Sequence, residues 1–116
     1  MNPPLTELQQ FFGGYFNQDW LEDHPTADGV IDSFLTDSDE DTIIIVKTEI
    51  LELIASYTNE LNLQKNLLEE QYCFYYYPFE WKSGLLWLRH IVSKFDSHLL
   101  NAREKSEKAN IKKIKH

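Results

Sequence analysis

Ile43, Val46, Ile50, Leu53, Ile54 and Tyr57 recur at intervals of three and four residues, which places them on one stripe of a helix and leaves Lys47 and Glu49 outside it. The run Ile43-Ile44-Ile45-Val46 alone would pass for a strand, but the 3.6-residue period continues to Tyr57 and selects helix. A helix this apolar on one side has to be covered, so the rest of the chain must supply partners for it. Ser38 or Asp39 stands where an N-cap belongs, and the acids that follow complement the positive end of the helix dipole.

The partners are legible on both sides. Pro3 and Pro4 can begin a first helix carrying Leu5, Leu8, Phe11 and Phe12, which Gly13-Gly14 is expected to stop. The aperiodic segment from Tyr15 to Leu21 reads as an ordered loop or a helical turn. Thr26 or Asp28 can cap a helix whose core side is Val30, Ile31, Phe34 and Leu35, interrupted by Asp37-Ser38-Asp39. Asn59 recaps the chain into a helix with Leu61, Leu63, Leu67 and Leu68, ending near Glu70.

Tyr72-Cys73-Phe74-Tyr75-Tyr76-Tyr77-Pro78-Phe79-Glu80-Trp81 is then too aromatic to lie wholly in solvent, and Pro78 makes it extended or turn-like. A last helix should start near Ser83 and run past Leu99, with Leu85, Leu88, Val92, Phe95 and Leu99 on one side and Trp87 and Ile91 widening that face. The expectation is an all-α fold: a single compact domain of about five helices with an aromatic connecting segment before the last. It occupies residues 1–102, and a basic tail, helical or disordered, follows over 103–116.

Charge divides the chain. Residues 1–46 hold ten acids and no lysine or arginine, whereas the tail holds Arg103, Lys105, Lys108, Lys112, Lys113 and Lys115 against Glu104 and Glu107. The net charge of −8 therefore conceals a dipolar chain. An acidic body repels phosphate backbones and steers basic proteins toward itself, so a protein partner is expected and a nucleic acid is not. No apolar run approaches the roughly 20 residues of a membrane span, and the opening MNPPLTELQQ lacks a signal-peptide pattern, so no membrane partner and a cytoplasmic location are expected. The single Cys73 excludes an internal disulfide and reads as a buried thiol.

The patterns of catalysis and metal binding fail one by one. Counted from Asp37, an EF-hand needs Gly at its sixth position and Glu at its twelfth, where this chain has Thr42 and Thr48. His24, His90, His98 and His116 never share the four-residue spacing that lets helical imidazoles meet on one metal. There is no phosphate-binding glycine loop and no nucleophile elbow. No catalytic residue, metal, cofactor or small-molecule substrate is expected, and the chain is not read as an enzyme.

What remains is an aromatic and acidic surface, the usual make-up of a tight protein interface. Phe11, Phe34, Phe95 and Trp87 are assigned to the core, while Tyr15, Trp20, Tyr75, Tyr76 and Trp81 suit core and interface equally. The stretch Leu8-Gln9-Gln10-Phe11-Phe12-Gly13-Gly14-Tyr15-Phe16-Asn17-Gln18-Asp19-Trp20 resembles the opening of a family of contact-dependent growth inhibition immunity proteins. The resemblance continues over residues 27–35, at the aromatic run closed by Pro78, and at Trp87-Leu88 with Ile91. It covers about residues 5–96 and implies a bacterial protein that binds the C-terminal toxin domain, frequently a nuclease, of a large secreted exoprotein. Tyr15, Asp19, Trp20, Glu22, Asp23, Asp28, Asp32, Asp37, Asp39, Glu40 and Asp41 are the expected partner-binding residues, with a helix-capping role competing at Asp19. The alternative is an acidic inhibitor, such as a nucleic-acid mimic, of another basic protein.

Overall fold

The computed structural model describes residues 4–114, with the side chains of Asp23 and of residues 106–114 outside the described set. Its helices follow in the order α1 (Glu7–Tyr15), α2 (Trp20–Asp23), α3 (Ala27–Asp37), α4 (Glu40–Ser56), α5 (Glu60–Lys65) and α6 (Gly84–Ile114). A π-helical turn at Asn66–Glu70 extends α5, and a 3-10 turn at Tyr77–Phe79 precedes α6. The chain is all-α, with no strand among the described residues. The expected helices are present, and the segment left open between loop and turn contains the short α2.

Local chemistry sets most helix starts. Thr26 accepts the Gly29 amide at 3.0 Å, Asp39 the Thr42 amide at 2.7 Å, Asn59 the Asn62 amide at 3.2 Å and Ser83 the Leu86 amide at 3.1 Å. Each satisfies a donor that the helix cannot, worth about 1 kcal/mol per cap. The first helix corrects the prolines: Pro4 lies before it, Pro3 lies outside the described residues, and Thr6 with Gln9 forms the capping box that starts it. Leu5 is accordingly exposed rather than part of the stripe.

Gly13-Gly14 does not stop α1, which continues to Tyr15. Phe11, Phe12 and Phe16 are almost fully buried and hold the turn in place, so packing outweighs the roughly 1 kcal/mol that each glycine costs a helix. The outer face of α1 is also crowded at one point, because a Cβ on Gly13 would come within 3.3 Å of the Tyr72 Cβ.

α1 packs on α3 and α4, and α6 crosses α3, α4 and α5. Aromatic rings fill the space between them. Phe11 lies 4.6 Å from Phe34 and 5.8 Å from Phe95, Phe12 lies 5.7 Å from Trp87, and Phe34 stacks on Phe95 at 5.6 Å. Burying each of these rings stabilises the fold by about 1.5–3 kcal/mol. On α6 the buried face centres on Trp87, Leu88, Ile91 and Phe95, and Leu85 falls at its margin. Leu61, expected on the apolar side of its helix, is 69% exposed, whereas Leu63 and Leu67 are buried.

Two carboxylates serve as long-range caps. Glu49 accepts the Leu8 amide of α1 at 2.8 Å, and Glu60 accepts the Gly84 amide of α6 and the Tyr77 hydroxyl. Gly84 is needed there, since a Cβ would meet the Tyr77 hydroxyl at 3.0 Å and Glu60 Oε1 at 3.1 Å. The buried Asn66 at the start of the π turn donates to the Tyr57 hydroxyl at 2.9 Å and to Glu70, and it accepts from Gln71 at 3.0 Å.

Past that turn Tyr72 adopts φ 61°, a left-handed conformation that costs a non-glycine residue about 1–2 kcal/mol. The Cys73 amide then donates back to the Leu67 carbonyl at 3.2 Å, and the Phe74 amide donates to Phe16 at 2.9 Å. The segment that follows is extended. Cys73, Tyr75 and Tyr77 point into the core, and Tyr72, Phe74 and Tyr76 point out.

Candidate functional site

Among the described residues no group of three His, Cys, Asp or Glu side chains is placed to hold a metal ion. No helix of the described residues is long and apolar enough to cross a membrane. Burial pushes the Cys73 thiol up to about 12, so it stays protonated and unreactive at neutral pH. What the surface does offer is charge and aromatic rings.

Tyr15 ends α1 half-buried, its ring edge-on to Phe34 at 5.3 Å and its hydroxyl donating to Asp37 at 3.3 Å. Partial burial, and then the Asp37 carboxylate, raise its phenol above the ordinary value. Asp37 closes α3, Asp39 caps α4, and Glu40 and Asp41 occupy the first turn of α4, so four acids line the α3–α4 corner and Tyr15 bonds to the first of them. The hydrogen bonds from Thr42 hold the Asp39 carboxyl below its usual range.

Trp20 opens α2, edge-on to the buried Tyr75 at 5.3 Å and 6.1 Å from Phe16. Asp19 precedes it with ψ 15° and makes no side-chain cap, so the capping role considered for it is not realised. An N-cap side chain reaches its amide from an extended backbone, and ψ 15° turns it away. Asp19 and Glu22 are exposed, and the side chain of Asp23 lies outside the described set.

Two of the three acids of α3 meet bases. Asp28 is 2.9 Å from His90 Nε2 and Asp32 is 2.8 Å from Lys94, one turn apart on both α3 and α6. Lys47 of α4 pairs with Asp96 of α6, and Glu40 stands 3.7 Å from Arg103. Each exposed pair is worth about 0–1 kcal/mol, yet together they stitch α6 to α3 and α4. Asp19, Glu22 and Asp41 make no ion pair among the described side chains.

The five ambiguous aromatics separate. Tyr75 is core; Tyr76 is 44% exposed; Tyr15, Trp20 and Trp81 are half-buried against the core. Sequence reasoning missed Tyr72, Phe74 and Phe79, which with Tyr76 form an exposed aromatic row, Phe79 being 86% exposed. Tyr72-Cys73-Phe74-Tyr75-Tyr76-Tyr77 carries no polar-apolar alternation that marks which rings face out; the in-out alternation is set by the fold. Acidic groups beside rings on one shell make a surface suited to holding a basic protein.

The family model for the CdiI immunity protein matches residues 5–95. Among solved structures, a chain of the crystal structure of a CdiA-CT/CdiI complex from Y. kristensenii is 32% identical, with a TM-score of 0.75 over 78% of this chain and 91% of that one. The comparison with curated proteins gave no match.

Proposed function

The chain belongs to the CdiI immunity protein family, and on that premise we propose that it binds and neutralises the C-terminal toxin domain of a cognate contact-dependent growth inhibition exoprotein, a nuclease. The observation that carries the reading is the likeness, over nearly the whole partner-bound chain, to a component of a CdiA-CT/CdiI complex. Neutralisation proceeds by occlusion rather than catalysis, inside the cell that must be protected.

A nuclease has to be basic where it holds phosphates. The acidic stretch over residues 1–46 suits such a groove or a neighbouring exosite, with Tyr15 and Trp20 as anchors among Asp19, Glu22, Asp23, Asp28, Asp32, Asp37, Asp39, Glu40 and Asp41. Long-range attraction would speed capture of a toxin that turns over many substrates if it escapes. The test is co-purification of the full chain with the toxin domain encoded beside it, followed by assay of growth and of nucleic-acid cleavage. A tight complex that abolishes both supports the reading. A toxin that stays active in excess protein rejects it.

A further inference from the structure

A cleft of about 350 Å³ lies between the start of α3 and the aromatic segment, lined by Thr26, Ala27, Asp28, Glu80 and Trp81. No lysine or arginine lines it, and two of its five residues are carboxylates. Trp81 is half-buried, its indole 4.9 Å from the His90 ring, and His90 in turn holds Asp28 through Oδ1. Both the Asp28 carboxylate and the Trp81 ring are thereby fixed in orientation.

Behind the cleft sits Tyr75, 3% exposed, its buried hydroxyl next to Glu80 and Trp81. Burial, and then the Glu80 carboxylate, push its phenol above the ordinary range, with Asp28 adding to the effect and Trp81 opposing it. The residues that act on this hydroxyl are therefore the ones that line the cleft.

Two carboxylates and an indole are the surroundings of a cation that carries several N–H donors. A guanidinium fits better than an ammonium, because its planar fork reaches two carboxylates while one face stacks on an aromatic ring. We propose that the Asp28–Glu80–Trp81 cleft receives an arginine side chain of the toxin domain. This rests on the immunity reading above and adds to it a specific socket, including Glu80 and Trp81, outside the acid-rich first third of the chain.

The test uses the full chain and its toxin domain, with affinity measured by calorimetric titration. Glu80 is exposed and makes no ion pair among the described side chains, so Glu80→Gln removes charge from the cleft while keeping the side chain's size beside Tyr75. It should weaken binding about tenfold. Paired with single Arg→Ala replacements across the toxin surface, Glu80→Gln should be non-additive with one arginine alone, and Arg→Lys there should recover only part of the loss. In the wild-type protein the Trp81 indole N–H resonance should shift on toxin addition. Overturning results would be an unmoved indole, binding by Glu80→Gln and Trp81→Phe within about twofold of wild type, or the same loss against every toxin variant. A wild-type chain that neutralises the toxin while those results hold would sink the socket and leave the immunity reading intact, whereas no binding at all would overturn both.

Discussion

The acids of α3 and those around α2 are alike in sequence and differ in what surrounds them. Asp28 and Asp32 face His90 and Lys94 across the α3–α6 seam, while Asp19 and Glu22 stand in solvent with no ion pair among the described side chains, as does Asp41 on α4. The first pair is part of how the fold closes. The second set keeps its field for whatever approaches. A charge count over residues 1–46 therefore overstates the field left over for a partner, because α6 returns part of the opposite charge to the same surface.

Reversing the unpaired set should have the largest effect and the cleanest separation. Asp19→Lys, Glu22→Lys and Asp41→Lys together should slow toxin association about tenfold or more at low ionic strength, read by stopped-flow. The same variant should lose only about 1 kcal/mol, the cost of a lysine in the first turn of α4 against the helix dipole, since no ion pair among the described side chains is broken. A large stability loss would erase the distinction between the two sets.

On the paired side, the start of α3 sets the seam. Thr26→Ala removes the cap on the Gly29 amide and should cost about 1 kcal/mol in urea denaturation. Asp32→Asn removes one rung against Lys94 and should cost about 0.2–1 kcal/mol, shrinking as salt is added. A cost above that range would mean the seam carries more of the fold than exposed pairs normally do.

Asp39 gives the smallest effect. Its carboxyl is held below the usual carboxylate range by the Thr42 hydrogen bonds. A depressed folded value contributes stability above the unfolded value and loses it as pH falls through the folded one. Asparagine keeps the cap and removes the charge, so Asp39→Asn should be slightly less stable than wild type at neutral pH, the difference closing at an acid pH where the carboxyl is protonated. Denaturation curves at the two pH values check this.

The helices were legible because their determinants are local: Thr26, Asp39, Asn59 and Ser83 each act on an amide three residues away. Continuation through Gly13-Gly14 was not, because it depends on Phe12 and Phe16 meeting Trp87 from another part of the chain. Pairing of Asp28 with His90 spans 62 residues, beyond the reach of any spacing rule. Likewise the aromatic segment announced its burial by composition, while the outward row at Tyr72, Phe74 and Tyr76 depends on the left-handed turn at Tyr72 that aims it. The family itself was readable from the motif at residues 8–20, which lies within the matched region.

The most direct measurement is titration of the toxin domain's growth inhibition, and of the nucleic-acid cleavage proposed for it, with the full chain at low and at high salt. The proposal predicts a stoichiometric end point at both, reached more slowly at high salt as the field of Asp19, Glu22 and Asp41 is screened. Cleavage that persists at excess protein, or inhibition whose rate ignores salt, would contradict it.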